Sequence, residues 1–332
     1  GLRELFESSP DGGQFAISPQ YQVDPCQSLI ELTPNGIGVV AEIPDTGQIV
    51  GVALVLIEDR SLNGKLAPCA FLSSLTVHPA YRRQGIATRL AQWRLAYARQ
   101  RAGDDVPIVA FIQKGNAASL AAAQKWGALT EGQCRNSLIR TRPKPPQEVA
   151  SWRIREARST EYGQIADHLD AFYRDYDLYA PHTGQGLADW LNNTLFARPF
   201  RHYYVLEDSQ SNLLAGLAVA EQSRIVTMNV HHMPAFARAL NHIVKMVPSD
   251  GVLRQLSVSK MWVAPNQLAA AQYLWQTMRW RLRDAGSHLL CSYDPRGPIP
   301  DVIKPPFWLP RGTTDIVAHN FELNGRRICQ SE

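Results

Sequence analysis

The stretch Val77-His78-Pro79-Ala80-Tyr81-Arg82-Arg83-Gln84-Gly85-Ile86-Ala87-Thr88 constrains this chain more than any other. An apolar, strand-like run from Ala70 to Val77 leads into it. Helical spacing follows, with apolar residues at Ile86, Leu90, Trp93 and Tyr97. A strand that turns through Arg82-Arg83-Gln84-Gly85 straight into a helix leaves several backbone N–H groups facing one point, beside the positive end of the helix dipole. Such a place takes an anion, most naturally a phosphate. Gly85 lets the backbone come close to the ligand, and Arg82 and Arg83 add charge.

At 332 residues the chain suits two domains, each large enough for its own core. With 45% apolar and 19% charged residues it reads as an ordinary globular protein, and a net charge of +4 fits an anionic ligand without calling for nucleic acid. Cys26, Cys69, Cys134, Cys291 and Cys329 are scattered and lack metal-ligand spacing, so reduced thiols and a cytoplasmic location are expected. No secretory leader and no apolar run of membrane-spanning length is evident, and no membrane partner is expected.

Taken in order, Leu2, Leu5 and Phe6 have helical spacing, and Ser8 to Pro34 reads as loop with at most a short helix. Gly36–Glu42 and Ile49–Ile57 are strand-like and joined by the turn Pro44-Asp45-Thr46-Gly47. After the Arg-Arg-Gln-Gly turn and a helix to about Ala102 come a buried-strand run, Val106–Ile112, and an alanine-rich helix from Asn116 that Gly127 stops. Thr141 to Glu148, with three prolines, is expected to be a stiff linker. Beyond it a strand at Trp152–Ala157, a helix from Glu161 to Tyr176, strands at His202–Leu206, Leu213–Ala220 and Leu256–Val263, and a helix from Leu268 to Asp284 repeat the first half in order of elements. Val263-Ala264-Pro265 stands where Val77-His78-Pro79 stands, but Asn266-Gln267-Leu268-Ala269-Ala270 supplies neither arginine nor glycine.

The first turn resembles the central motif of the GNAT N-acetyltransferase superfamily, Val-x-Pro-x-Tyr-(Arg/Gln)-x-x-Gly-x-(Gly/Ala), with Arg82, Gly85 and Ala87 at its fixed positions. Asn116 and Gly127 match that family's second motif. The resemblance implies two α/β (α+β) domains of GNAT type, each a mixed, mostly antiparallel sheet flanked by helices. The first spans residues 1–140 and is CoA-competent, 141–150 is the linker, and 151–332 is a degenerate copy that does not hold CoA in the usual way. Because such a domain normally begins with a strand, the resemblance also implies one upstream of Gly1.

The resemblance further implies acetyl-CoA as acyl donor, with no metal. Leu75, Thr76 and Val77 would lie along the pantetheine arm, and the main-chain groups of Leu75 and Val77 would pair with it. The N–H groups of Arg83, Gln84, Gly85, Ile86, Ala87 and Thr88 would hold the pyrophosphate with help from Arg82, and Asn116 would contact pantetheine. Many members carry a glutamate five residues before this asparagine and a tyrosine seven after it, for proton transfer. Here those positions are Phe111 and Ala123, so no general base or acid is identified.

His78 is a substitute candidate for that proton transfer. Tyr21, Asp24 and Glu31, in the stretch that walls the acceptor pocket in the family, and Tyr173 and Tyr176, in an aromatic cluster, are weak acceptor-side candidates. His231-His232 lacks ligand partners at metal spacing. Arg89, Arg94 and Arg99 point roughly 300°, 80° and 220° around the helix from Ile86, a ring and not a stripe, so a solvated helix with one or two arginines serving CoA phosphates explains them better than nucleic-acid binding. The expected function is acetyl transfer to a small-molecule or protein amine in a ternary complex, with no oligomeric state implied. The alternative is a CoA-binding regulator or scaffold without turnover.

Overall fold

The computed structural model describes residues 1–9, 11–12, 16–194, 196–232, 235, 238–239, 241, 246–309 and 311–330. The chain divides into two compact units, each assembled from separate stretches of sequence. Unit 1 takes residues 1–133, 225–253 and 313–325, and unit 2 takes 134–224, 254–312 and 326–332.

The sheet of unit 1 runs β1 (Ile37–Ile43), β2 (Gln48–Leu62), β3 (Lys65–Val77) and β4 (Ile108–Gln113), and the strand Arg311–His319 adds to β4. Pairing is antiparallel except between β3 and β4, which are parallel. Asn63 (φ 53°) and Gly64 (φ 79°) form the tight turn that joins β2 to β3. Helix α1 (Ile86–Ala102) connects β3 to β4, as a parallel pair requires. Helix α2 (Ala117–Ala123) follows β4. The core between sheet and helices contains Val55, Ala70, Leu72, Ala98, Ile108 and Val317.

The N-terminal region is more structured than its composition suggests. Ala16–Tyr21 is a strand rather than loop, and it pairs antiparallel with Val226–His232. Pro25–Leu32 is a helix whose N-cap, Asp24, accepts hydrogen bonds from the N–H groups of Cys26 (2.9 Å) and Gln27 (3.2 Å). The partner strand is supplied from 205 residues or more downstream (Tyr21 to Val226), which local sequence pattern does not reveal.

Unit 2 has a mixed sheet in the order β5 (Ala128–Arg140), β10 (His288–Tyr293), β9 (Gln255–Val263), β8 (Leu213–Ala220), β7 (Arg201–Asp208) and β6 (Trp152–Glu156). Only β9 and β10 are parallel. Helix α5 (Leu268–Arg281) joins them, and α3 (Tyr162–Phe172) and α4 (Gly184–Asn192) pack on an aromatic-rich core.

The contiguous domains read from the sequence differ from these units because the last strand of each half pairs in the other unit. Arg135–Arg140 of β5 pairs with β10, whereas Arg311–His319 pairs with β4. Residues 141–150 consequently fall inside unit 2, where the N–H groups of Thr141 and Arg142 donate to the carbonyls of Ser287 (3.1 Å) and Arg279 (3.0 Å).

Candidate acyl-CoA cleft

Strand β3 changes character at Ser73. Cys69 to Leu72 are buried, and Ser73 and Ser74 are exposed. The cause is a bulge: Val52 faces Thr76 and Leu54 faces Ser73, so Ser74 and Leu75 together oppose Ala53, and Ser74 takes a left-handed φ of 53°. Parallel pairing with β4 is confined to Ala70–Ile108 and Phe71–Val109. Beyond those pairs the two strands border a cleft of about 310 Å³, lined by Leu72–Thr76 of β3, Ala110–Gln113, Ala91 and Arg94 of α1, and Asn116, Ser119, Ala122, Ala123 and Trp126.

The turn after β3 gathers unpaired backbone N–H groups. His78 N–H donates to the Val50 carbonyl (2.9 Å), and a 3-10 turn over Pro79–Tyr81 follows. Arg83 (φ 64°) and Gly85 (φ 81°) then both adopt left-handed backbone, and Gly85 is the N-cap of α1. Arg82 N–H donates to Pro79 (3.3 Å) and Arg89 N–H to Gly85 (3.1 Å). Between them, no backbone N–H from Arg83 to Thr88 has an acceptor among the described residues. A run of unpaired donors at the start of a 17-residue helix is an arrangement that can take an anion. A Cβ on Gly85 would meet nothing within 4 Å, so this glycine serves backbone conformation and an open approach, not tight packing.

The sequence-predicted residues divide into groups. Leu75 and Thr76 line the cleft; Val77 follows them, and its carbonyl accepts from Arg82 Nε (3.1 Å). Asn116 also lines the cleft and caps α2, accepting from Ser119 N–H at 3.1 Å. Phe111, stacked on Phe71 with centroids 6.3 Å apart, and Ala123 both face the same space. No carboxylate, histidine, cysteine or tyrosine belongs to the cleft lining.

His78 is not in that lining either; its Nδ1 accepts from Ala80 N–H (3.3 Å) as a turn cap. Tyr21 packs on Phe6 (5.4 Å), and burial pushes its phenol up to about 12. Glu31 is 2% exposed. Tyr173 and Tyr176 belong to the buried core of unit 2, where burial raises both phenols, a packing position rather than a pocket wall. His231 Nε2 lies 2.6 Å from Ser18 Oγ, and among the described residues no group of His, Cys, Asp or Glu is arranged to hold a metal.

One cleft residue was read differently from the sequence. Arg94 is not on a solvated ring of arginines; it is 3% exposed, and its Nη1 donates to the carbonyls of Ser73 (3.0 Å) and Leu54 (3.4 Å) beside the bulge. Burial lowers its pKa to about 10, which leaves it cationic at neutral pH.

A parallel pair thus parts at a bulge, next to a strand-to-helix turn of unpaired N–H groups. Residues 2–128 match the model of the acetyltransferase (GNAT) family. Over its length the fold resembles the N-myristoyltransferase of Saccharomyces cerevisiae, solved with bound myristoyl-CoA, at TM-score 0.67 and 9% identity, covering 97% of this chain and 79% of that one. A second structure of that enzyme gives TM-score 0.65, 11% identity, and 97% and 75% coverage. A GCN5-related N-acetyltransferase from Anabaena variabilis gives TM-score 0.51, 15% identity, and 88% and 65% coverage. No curated protein is a significant sequence match. No described helix is long and apolar enough to cross a membrane.

Proposed function

We propose that unit 1 is an acyl-CoA-dependent N-acyltransferase centre and that unit 2 is a degenerate copy without a CoA site. The observation that carries this reading is the run of unpaired N–H groups from Arg83 to Thr88 at the mouth of a cleft whose β3 edge lacks a partner strand. The pyrophosphate sits on that cradle with Arg82 and Arg83 beside it, and pantetheine runs back along Leu75–Val77 with Asn116 opposite. The residue left over at the Ser74–Leu75 bulge offers backbone groups outside the ladder, placed to polarise the thioester carbonyl. An acceptor amine, having lost a proton, attacks that carbonyl carbon; the C–S bond breaks and the CoA thiolate takes up a proton. The GNAT resemblance supports a short acyl group such as acetyl and a small-molecule or protein amine as acceptor.

Proton transfer is the part without a resident group, since Phe111 and Ala123 face the cleft where a base and an acid would be useful. Solvent or the acceptor itself then handles the protons. The same observation favours a second reading, a CoA-binding protein without turnover. Release of free CoA thiol from acetyl-CoA, measured with a broad amine panel, separates the two. Amine-dependent release supports the enzyme; binding without release across the panel supports the regulator.

A further inference from the structure

The orientation of Arg94 bears on which substrate the cleft selects, on the basis of the cofactor placement proposed above. A donor whose pyrophosphate lies at Gly85 and whose pantetheine passes Val77 and Leu75 brings its acyl end toward Ser73, because the strand runs back in that order. Arg94 stands there. Its Nη1 is held by the Ser73 and Leu54 carbonyls, so the plane of the guanidinium is fixed. The opposite edge, Nε and Nη2, has no hydrogen-bond partner among the described residues, and Nε is fully buried. The residue is 3% exposed, and it lines the cleft with no acidic residue in that lining.

Nε is closed off by packing, so Nη2 is the guanidinium nitrogen left to meet a ligand, and its charged N–H donors suit a carboxylate. A buried cation without a counter-charge is unfavourable, and an acetyl methyl group does nothing to relieve it. We propose that Arg94 is a specificity-determining residue that pairs with a substrate carboxylate in the cleft, carried by the acyl group of a short dicarboxylic CoA thioester. An acceptor that is itself a carboxylic acid offers the same chemistry, and the experiment separates the two sources.

Calorimetric affinities of the intact protein for succinyl-CoA and acetyl-CoA form the first arm, measured on the wild type, Arg94→Gln and Arg94→Lys. The second arm compares an amino acid with its amide in the presence of CoA. The wild type is expected to favour the carboxylate-bearing member of the succinyl/acetyl pair by about tenfold or more. Arg94→Gln should bring that ratio to about one, and Arg94→Lys should keep part of it. Reading a ratio, not an absolute affinity, separates recognition from the contribution of Arg94 to holding the bulge. Preference confined to the amino-acid pair keeps the carboxylate role and moves its source to the acceptor. Equal affinities within both pairs, or a preference that persists in Arg94→Gln, overturns the assignment. If neither CoA thioester binds, the cofactor placement fails first and the assignment falls with it.

Discussion

The strands β3 and β9 start from the same backbone device and end with opposite contents. Each carries a bulge at the same place. Ser73-Ser74-Leu75-Thr76 passes Leu54–Val52, with Ser74 left-handed at φ 53°, and Ser259-Lys260-Met261-Trp262 passes Ala218–Gly216, with Lys260 left-handed at φ 47°. Each pairs in parallel with its next strand only before the bulge. In unit 1 the space beyond is a cleft. In unit 2 Trp262, 1% exposed, occupies the corresponding strand position and stacks on His168 at 4.0 Å. Gly216 makes that possible, since a Cβ there would come within 2.6 Å of the Trp262 indole nitrogen. The turns diverge as well: Tyr81 N–H to the His78 carbonyl (2.9 Å) and Gln267 N–H to the Ala264 carbonyl (3.0 Å) correspond, but after Gln267 the turn into the helix carries no arginine or glycine. The fold supplies the splayed strands in both units, and side chains decide whether a ligand can enter.

The contrast can be broken most severely at Gly85. Gly85→Glu puts a carboxylate where the pyrophosphate belongs and forces a side chain onto a φ of 81°. CoA affinity should fall on the order of a hundredfold or more by calorimetry. Trp262→Ala tests the filled copy. Removing this buried ring should cost about 3–5 kcal/mol in chemical denaturation, and it should create no second CoA site, because the turn still lacks the arginines and the left-handed glycine of the first unit. Arg82→Ala with Arg83→Ala should weaken CoA binding roughly tenfold while flattening its salt dependence, since exposed charges act through a screened field.

The smallest effect concerns pH. Burial lowers the pKa of His168, so the unfolded chain binds the proton more readily than the folded one. Stability is therefore full above the unfolded value of about 6.5 and declines as pH falls through it. His168→Gln should reduce the fall in melting temperature between about pH 7.5 and pH 5.5.

Much of this was legible in the sequence where pattern is local. The Arg-Arg-Gln-Gly turn, the strand–helix–strand order around it, the repeat of elements in the second half and the missing glycine there all follow from adjacent residues. The pairing of Arg311–His319 with β4 is not local, and neither is the pairing of Ala16–Tyr21 with Val226–His232, so neighbouring residues do not show that each compact unit draws on separate stretches of sequence. The helix α1 is instructive for a different reason. Its large residues, Ile86, Leu90, Trp93 and Tyr97, suggested the buried face, yet the buried residues are Leu90, Ala91, Arg94 and Ala98. At roughly 100° per residue, Arg94 lies between Leu90 and Ala98, in the middle of the alanine face. Close packing against the sheet favours small residues, and counting alanine as apolar would have placed Arg94 inside.

The central claim is that one unit holds CoA and the other cannot. Calorimetric titration of the intact protein with coenzyme A itself tests it directly and independently of the acyl group. One site per chain, lost in Gly85→Glu, is the predicted result. Two sites would contradict the reading of unit 2, and no binding would contradict the reading of the Arg83–Thr88 cradle.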